Sequence, residues 1–228
     1  MAQLHRTNGL RWLFAALLLI VCETALFAQK AVIVVGPVDP PLNKRTRAYV
    51  AEAEQVAKTL EYGGYRVERL YHPEATWERL LKESRGADIF VYYGHGNGHG
   101  WSGYTDDHAI NGLCLSNSRD PDLVLAGPGV PGGNARDLRK LRFDRGYTVV
   151  LVHTCYASGS SEYDRTAVDY KEASQRVNSY ASAFLKAGAG RYVATTFVGV
   201  APQFFNKWMT SGEVASAFRQ TMGGDRYH

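Results

Sequence analysis

Apolar positions along the chain alternate between two rhythms. Residues 31–35 (AVIVV) form a continuous β-branched run closed by Gly36-Pro37, the pattern of a strand buried on both faces. In residues 46–62 the rhythm changes: Ala48, Val50, Ala53, Val56, Ala57 and Leu60 recur at helical spacing until Gly63-Gly64 stops them. The same logic predicts strands at 66–70, 88–93, 148–152 and 191–196, and helices at 74–82, 178–187 and 213–222. Strands alternating with helices imply an α/β fold with a mainly parallel sheet covered on both sides. Ligands of such sheets lie beyond the carboxyl ends of the strands. Between the third and fourth core strands the alternation breaks. Residues 113–116 and 123–126 flank the turn-rich NSRDPD at 117–122 and read as a β-hairpin insertion, followed by a Gly/Pro loop at 127–133 and a short helix capped by Asn134. Its turn-rich part, 119–133, suits a processing or gating loop.

The first 28 residues stand apart. His5, Arg6 and Arg11 precede the apolar run 12–21, and Ala28 supplies a small residue at a cut site, as in a secretory signal peptide. The run is about half the ~20 apolar residues a spanning helix needs. Membrane contact is therefore expected only through this signal, with a secreted or periplasmic mature protein and a single domain over 29–228. The signal contains Arg6, Arg11 and Glu23, so its removal takes the formal charge from +4 to +3. That balance, with no basic stripe, argues against a nucleic-acid partner. The mature chain keeps Cys114 and Cys155, too few for a disulfide framework. Oligomeric state is not legible.

Chemistry concentrates at two strand ends. IFVYYGHGNGHG, residues 89–100, runs from a strand into a loop of glycine, histidine and asparagine. His95 lies two residues past Tyr93 and Cys155 three past Val152, so both emerge at one end of a parallel sheet although they are 60 positions apart. Thiolate is the nucleophilic form of cysteine, and a thiol of pKa ~8.5 is mostly protonated at neutral pH. A neighbouring imidazole takes that proton and later delivers it to a leaving amine. Gly94 and Gly96 allow close backbone approach, so that an amide N–H there, with that of Cys155, points at a developing oxyanion.

The strand ending in Gly94-His95-Gly96, followed by one ending in HTCYASGS at 153–160, resembles the caspase-like (clan CD) cysteine peptidases, which include caspases, legumains, gingipains, separases and CHAT domains. Residues 134–143 and 182–196 also resemble the runs that precede the nucleophile strand and the strand beside the substrate cleft. The resemblance spans roughly residues 30–222. It implies a caspase-like α/β/α sandwich and a peptidase hydrolysing peptide or protein substrates through a thioester. His95 would then be the general base and acid, Cys155 the nucleophile, and the backbones of Gly96 and Cys155 the oxyanion hole. An extended substrate would pair near Thr196, Phe197 and Val198. No cofactor or metal is implied. Relatives that cut after arginine or lysine carry an acidic residue two places before the nucleophile, where this chain has His153. Asp106, Asp107, Asp164 and Asp169 are other acidic residues available to a pocket.

Alternatives stand beside these expectations. His99 is the second choice of base. His153, two residues before Cys155, shares its side of the sheet if the segment is extended and either lines a specificity pocket or is a satisfied structural histidine. His95, His99, His108 and Cys155 offer zinc-ligand chemistry, but no HxxxH or paired CxxC supports such a site. Asp106 and Asp107 read as a solvated loop before a calcium site. Trp101 and Tyr104 are candidate pocket walls, whereas Cys114, Trp77 and Leu80 read as packing residues. A catalytically silent caspase-fold module that binds peptide or protein is the alternative to an enzyme.

Overall fold

The computed structural model describes residues 29–38, 44–96, 112–116, 124–125, 138–162, 164–197 and 199–222. The expected signal peptide, the Asn134-capped helix and most of the loop at 119–133 lie outside them. Among the described residues no helix is long and apolar enough to cross a membrane.

Five parallel strands form the central sheet: β1 (Lys30–Val35), β2 (Arg66–Tyr71), β3 (Ile89–Tyr93), β6 (Thr148–Val152) and β7 (Arg191–Thr195). Their spatial order is β2-β1-β3-β6-β7. The chain leaves β1 in one direction and returns past it to β3, so the order reverses between β1 and β3. Loops at the carboxyl ends diverge at such a point and leave a crevice.

Alternation along the strands sorts side chains into two layers. Ile33, Val91, Tyr93 and Val150 pack against α1 (Lys44–Tyr62), α4 (Val200–Ser211) and α5 (Val214–Met222), contacting Val56, Leu60, Phe205 and Ala217. Val34, Phe90, Tyr92 and Leu151 form a second core with Trp77 and Leu80 of α2 (Trp77–Glu83) and Tyr180 and Phe184 of α3 (Tyr170–Lys186). The strands are apolar on both sides because both sides are covered. Trp77 and Leu80 are core residues, as their spacing suggested.

The structure adjusts several boundaries. α2 begins at Trp77, after residues 74–75, because Thr76 accepts from the Arg79 N–H as its N-cap. α3 begins at Tyr170, eight residues before the expected start, because Asp169 caps it by accepting from the Glu172 N–H at 2.8 Å. α4 was not expected at all. Pro202 sits in its first turn, where no amide donor is required, and the spacing of Phe204, Phe205 and Trp208 was the available signal. The inserted hairpin is antiparallel but shorter than expected, pairing β4 (Leu115–Ser116) with β5 (Val124–Leu125).

Candidate active site

β3 and β6 are neighbours in register, with Tyr93 opposite Val152, so the loops that follow leave the sheet side by side. The first loop turns at once. Gly94 has φ +151, and a Cβ there would lie 2.5 Å from the Tyr92 hydroxyl. A Cβ on Gly96 would meet the Cys155 carbonyl at 2.4 Å, the Tyr180 hydroxyl at 2.5 Å and Thr154 Cγ2 at 2.6 Å. Only a residue without a side chain lets the histidine loop lie against the backbone of Cys155. Tyr92 anchors the loop from inside: its hydroxyl donates to the His95 carbonyl at 2.8 Å and accepts from the Cys114 N–H at 2.8 Å.

His95 is half-buried, and its Nε2 lies 2.7 Å from the carbonyl of Val38, just beyond β1. A carbonyl only accepts, so this bond requires a proton on Nε2 and leaves Nδ1 as the lone-pair nitrogen of the neutral ring. Cys155 is 8% exposed and free. It sits in a tight turn flanked by two left-handed residues, His153 (φ 55) and Tyr156 (φ 67). Positive φ costs a non-glycine residue roughly 1 kcal/mol or more, so surrounding bonds must hold the turn. The Tyr156 N–H donates to the Ser160 carbonyl at 2.7 Å, and Arg176 lies 5.0 Å from the centre of the Tyr156 ring. Arg176 is itself held by Asp164 at 2.9 Å.

His153 is where the extended-segment expectation fails. With φ 55 it leaves strand geometry, so alternation does not put it on the side of Cys155. Its ring stacks on Tyr49 of α1 at 4.6 Å and 8°. Nε2 lies 3.3 Å from a Glu52 carboxylate oxygen, Nδ1 lies 3.2 Å from the Thr196 carbonyl, and the backbone N–H donates to the Thr195 carbonyl. The Thr196 carbonyl only accepts, so Nδ1 is the donor of that bond, while Nε2 faces the Glu52 carboxyl. Glu52, 9% exposed, also accepts from the N–H of Gly199, the N-cap of α4. Its other oxygen is buried with no partner among the described residues.

A cavity of about 290 Å³ opens beside Cys155, lined by Arg45, Tyr49, His153, Ser160, Glu162 and Thr196 among others. Arg45 and Glu162 pair across it at 3.3 Å. Burial pushes the Tyr49 hydroxyl up to about 12, with a smaller contribution in the same direction from neighbouring Cys155. A larger cavity, about 900 Å³, follows the exposed edge of β7 past Tyr192, Trp208 and Phe218 and touches neither His95 nor Cys155.

The remaining expected site residues divide into three groups. Thr196 is at the cavity and Phe197, half exposed, stands beside it in sequence with its N–H bonded to Thr195 Oγ1. Asp164 and Asp169 are committed to Arg176 and the α3 cap, which removes them as free pocket acids. Val198, His99, Trp101, Tyr104, Asp106, Asp107 and His108 lie outside the described residues. Cys114 is buried and its thiol is pushed up to about 12 by that burial, in keeping with a packing role. Sequence reading missed Tyr49, Glu52 and Arg45. Tyr49 and Glu52 lie off the apolar pattern of α1, three residues apart, the spacing of one helix face.

The family model of peptidase family C25 matches residues 27–226. No match was found among curated proteins. Among solved structures, a short-chain flavodoxin associated with a non-canonical PDU bacterial microcompartment is 18% identical, with 83% of this chain and 99% of that one covered at a TM-score of 0.39. A Streptococcus pneumonia TIGR4 flavodoxin is 16% identical, with coverages of 82% and 98% and a TM-score of 0.37. A secreted C11 cysteine protease from Bacteroides thetaiotaomicron, in complex with an irreversible peptide inhibitor, is 9% identical. It is covered over 86% of this chain and 58% of that one, at a TM-score of 0.46.

Proposed function

We propose that this chain, which belongs to peptidase family C25, is an exported cysteine endopeptidase that uses His95 and Cys155 as a dyad. The observation that carries the reading is the seating of the His95 loop on the Cys155 backbone at Gly96, at the carboxyl end of two adjacent parallel strands. In this reading Nδ1 of His95, fixed by the Nε2–H bond to Val38, accepts the Cys155 thiol proton. The thiolate attacks the scissile carbonyl, and the N–H groups of Cys155 and Gly96 receive the oxyanion. The imidazolium then protonates the leaving amine. Water, deprotonated by the same ring, hydrolyses the thioester. Thr196, Phe197 and Val198 carry the extended substrate, which His153 positions through its bonds to the carbonyls of Thr195 and Thr196. Export follows from the 1–28 segment, with cleavage after Ala28.

Iodoacetamide labelling and a mixed peptide library, run on wild type, Cys155→Ala and His95→Ala, test the dyad. Stoichiometric labelling at Cys155 that slows in His95→Ala, with cleavage lost in both variants, is the expected result. Cleavage that survives in Cys155→Ala overturns it, and labelling without cleavage favours a silent binding module. Intact mass of the exported protein is expected to match a chain starting at Gln29.

A further inference from the structure

The segment after Cys155 is held against its own conformational preference. Tyr156 is 7% exposed with φ 67, and Gly159, three residues on, has φ +98. A residue with a side chain gives up stability to adopt that conformation. Relaxing it would swing the chain on one side of Tyr156 relative to the other, with Cys155 at the hinge. We propose that Arg176 of α3 is a positioning residue for Cys155: its guanidinium clamps residues 156–161 in this conformation and so fixes the direction in which the thiol points. The proposal rests on the reading of Cys155 as nucleophile, whereas the clamp itself can be measured without it.

Three contacts converge on the segment. The Arg176 guanidinium lies 5.0 Å from the centre of the Tyr156 ring. Its Nη1 donates to the Gly159 carbonyl at 3.2 Å and to both oxygens of Asp164 at 2.9 Å. Asp164 in turn accepts from the Ser161 N–H at 2.7 Å. A ring, a carbonyl and an amide of the same turn thus meet one cation and its carboxylate. Backbone bonds close the loop on itself, with the Tyr156 N–H donating to Ser160 at 2.7 Å and the Gly159 N–H to Tyr156 at 3.1 Å. Tyr192 ties the Ala157 carbonyl to β7 at 2.8 Å, and Arg176 ties residues 156 and 159, on either side of that point, to α3.

A clamp must itself be anchored. The Arg176 side chain is 15% exposed, and its Nη2 lies 2.6 Å from Glu172 one turn back on the helix. α3 is fixed independently by the Asp169 cap and by Tyr180 and Phe184 in the core. Gly159 lies against the same helix, where a Cβ on it would stand 3.0 Å from the Ala173 Cβ and 3.1 Å from the Ala173 carbonyl oxygen. Residues 173 and 176 are three apart, the spacing of one helix face. The geometry also explains why the residue is an arginine. A planar guanidinium offers N–H donors around its edge while its face rests on an aromatic ring, and the compact ammonium of lysine cannot do both.

Peptide cleavage and amide hydrogen exchange, measured on the full chain as wild type, Arg176→Ala and Arg176→Lys, test the proposal. In Arg176→Ala, kcat and kcat/KM are expected to fall together by about 10- to 100-fold, the loss that follows from misplacing a reacting group by about 1 Å. Exchange of the Tyr156 and Ser161 amides is expected to rise by about tenfold or more, while the amides of β1 and β3 keep their wild-type protection. Millimolar methylguanidinium is expected to restore both properties in Arg176→Ala. Arg176→Lys keeps the charge opposite Asp164 but not the plane, so it remains impaired, and it carries the comparison if Arg176→Ala does not fold. Wild-type kcat in either variant overturns the proposal. So does a loss of kcat accompanied by equally faster exchange in β1 and β3, which reports general unfolding. If wild type cleaves no peptide, the peptidase reading falls and exchange alone judges the clamp: a rise confined to 156–161 and reversed by methylguanidinium upholds it, and unchanged exchange removes it as well.

Discussion

Along β3 and β6, Phe90 lies opposite Val149 and Tyr92 opposite Leu151, four fully buried side chains in regular register. A few residues later the same two strands lead into His95, His153 and Cys155, where rings and backbone are held by a few specific polar bonds and His153 and Tyr156 adopt positive φ. The middle of the sheet is specified by many interchangeable contacts, each weak alone. At its carboxyl end a few groups act together, and each has one acceptable geometry. Damage should therefore appear as lost stability in the first region and lost activity in the second.

The largest separation is expected from His95→Ala and Cys155→Ala. On the proposed dyad, losing the base or the nucleophile lowers kcat/KM by about 10²–10⁴-fold or more. Their thermal midpoints should stay within a few degrees of wild type. Leu151→Ala sharpens the contrast from the other side, because truncating a fully buried leucine costs about 2–5 kcal/mol. Urea titration should show that loss. A folded Leu151→Ala protein that loses activity while keeping its urea midpoint would erase the distinction.

Gly96→Ala lies on the boundary and should harm both properties. Its Cβ meets the Cys155 carbonyl at 2.4 Å, so the loop must shift, at a cost of about 1–3 kcal/mol. On the proposed dyad, a shift on the order of 1 Å at Cys155 lowers kcat by about 100-fold. Paired kinetics and urea titration on this variant measure the two losses together.

The two buried cysteines provide a finer comparison. At pH 8, iodoacetamide is expected to modify Cys155 in the native protein. Cys114, whose thiol is pushed up to about 12 by burial, has a thiolate fraction on the order of 10⁻⁴ at that pH and should react only after unfolding. Peptide mapping distinguishes the two. Equal labelling of both in the folded state would mean that the second core is open to solvent.

The smallest effect belongs to the outer face of β2. There Arg69 holds Glu54 at 2.9 Å and Glu61 at 2.7 Å, and hydrogen bonding to Arg69 lowers both carboxyls below their ordinary values. A carboxyl whose folded value is lowered adds stability that is present above the unfolded value and lost as pH falls through the folded one. Glu61→Gln is therefore expected to cost less than about 0.5 kcal/mol at pH 7, where solvent screens the pair. The difference should shrink as pH falls toward the lowered value, as melting curves at pH 7 and pH 3 will show.

Much of the fold was legible because strands buried on both faces must be apolar throughout, so 31–35 and 148–152 announced themselves. α4 was harder to see because its Pro202 and leading Gly199 read locally as breakers, although at a helix start both are acceptable. For the site, strand order in the chain was enough to expect His95 and Cys155 at one end of the sheet. Chain order carries no information on what stands behind them. Arg45, Tyr49 and Glu52 lie on a helix more than 100 residues before His153, and their meeting depends on how α1 packs across β1 and β2.

The sequence alone determined the layered α/β architecture, through the periods of its apolar residues, and the types of group available at the strand ends. Tertiary structure decided that His153 turns away from strand geometry to meet Glu52 and that Arg45 pairs with Glu162 at the cavity beside Cys155. The physical reason is range. Periodicity reports on neighbours within a few residues, whereas the pairing of a buried charge depends on which distant side chain the packing brings within hydrogen-bond reach.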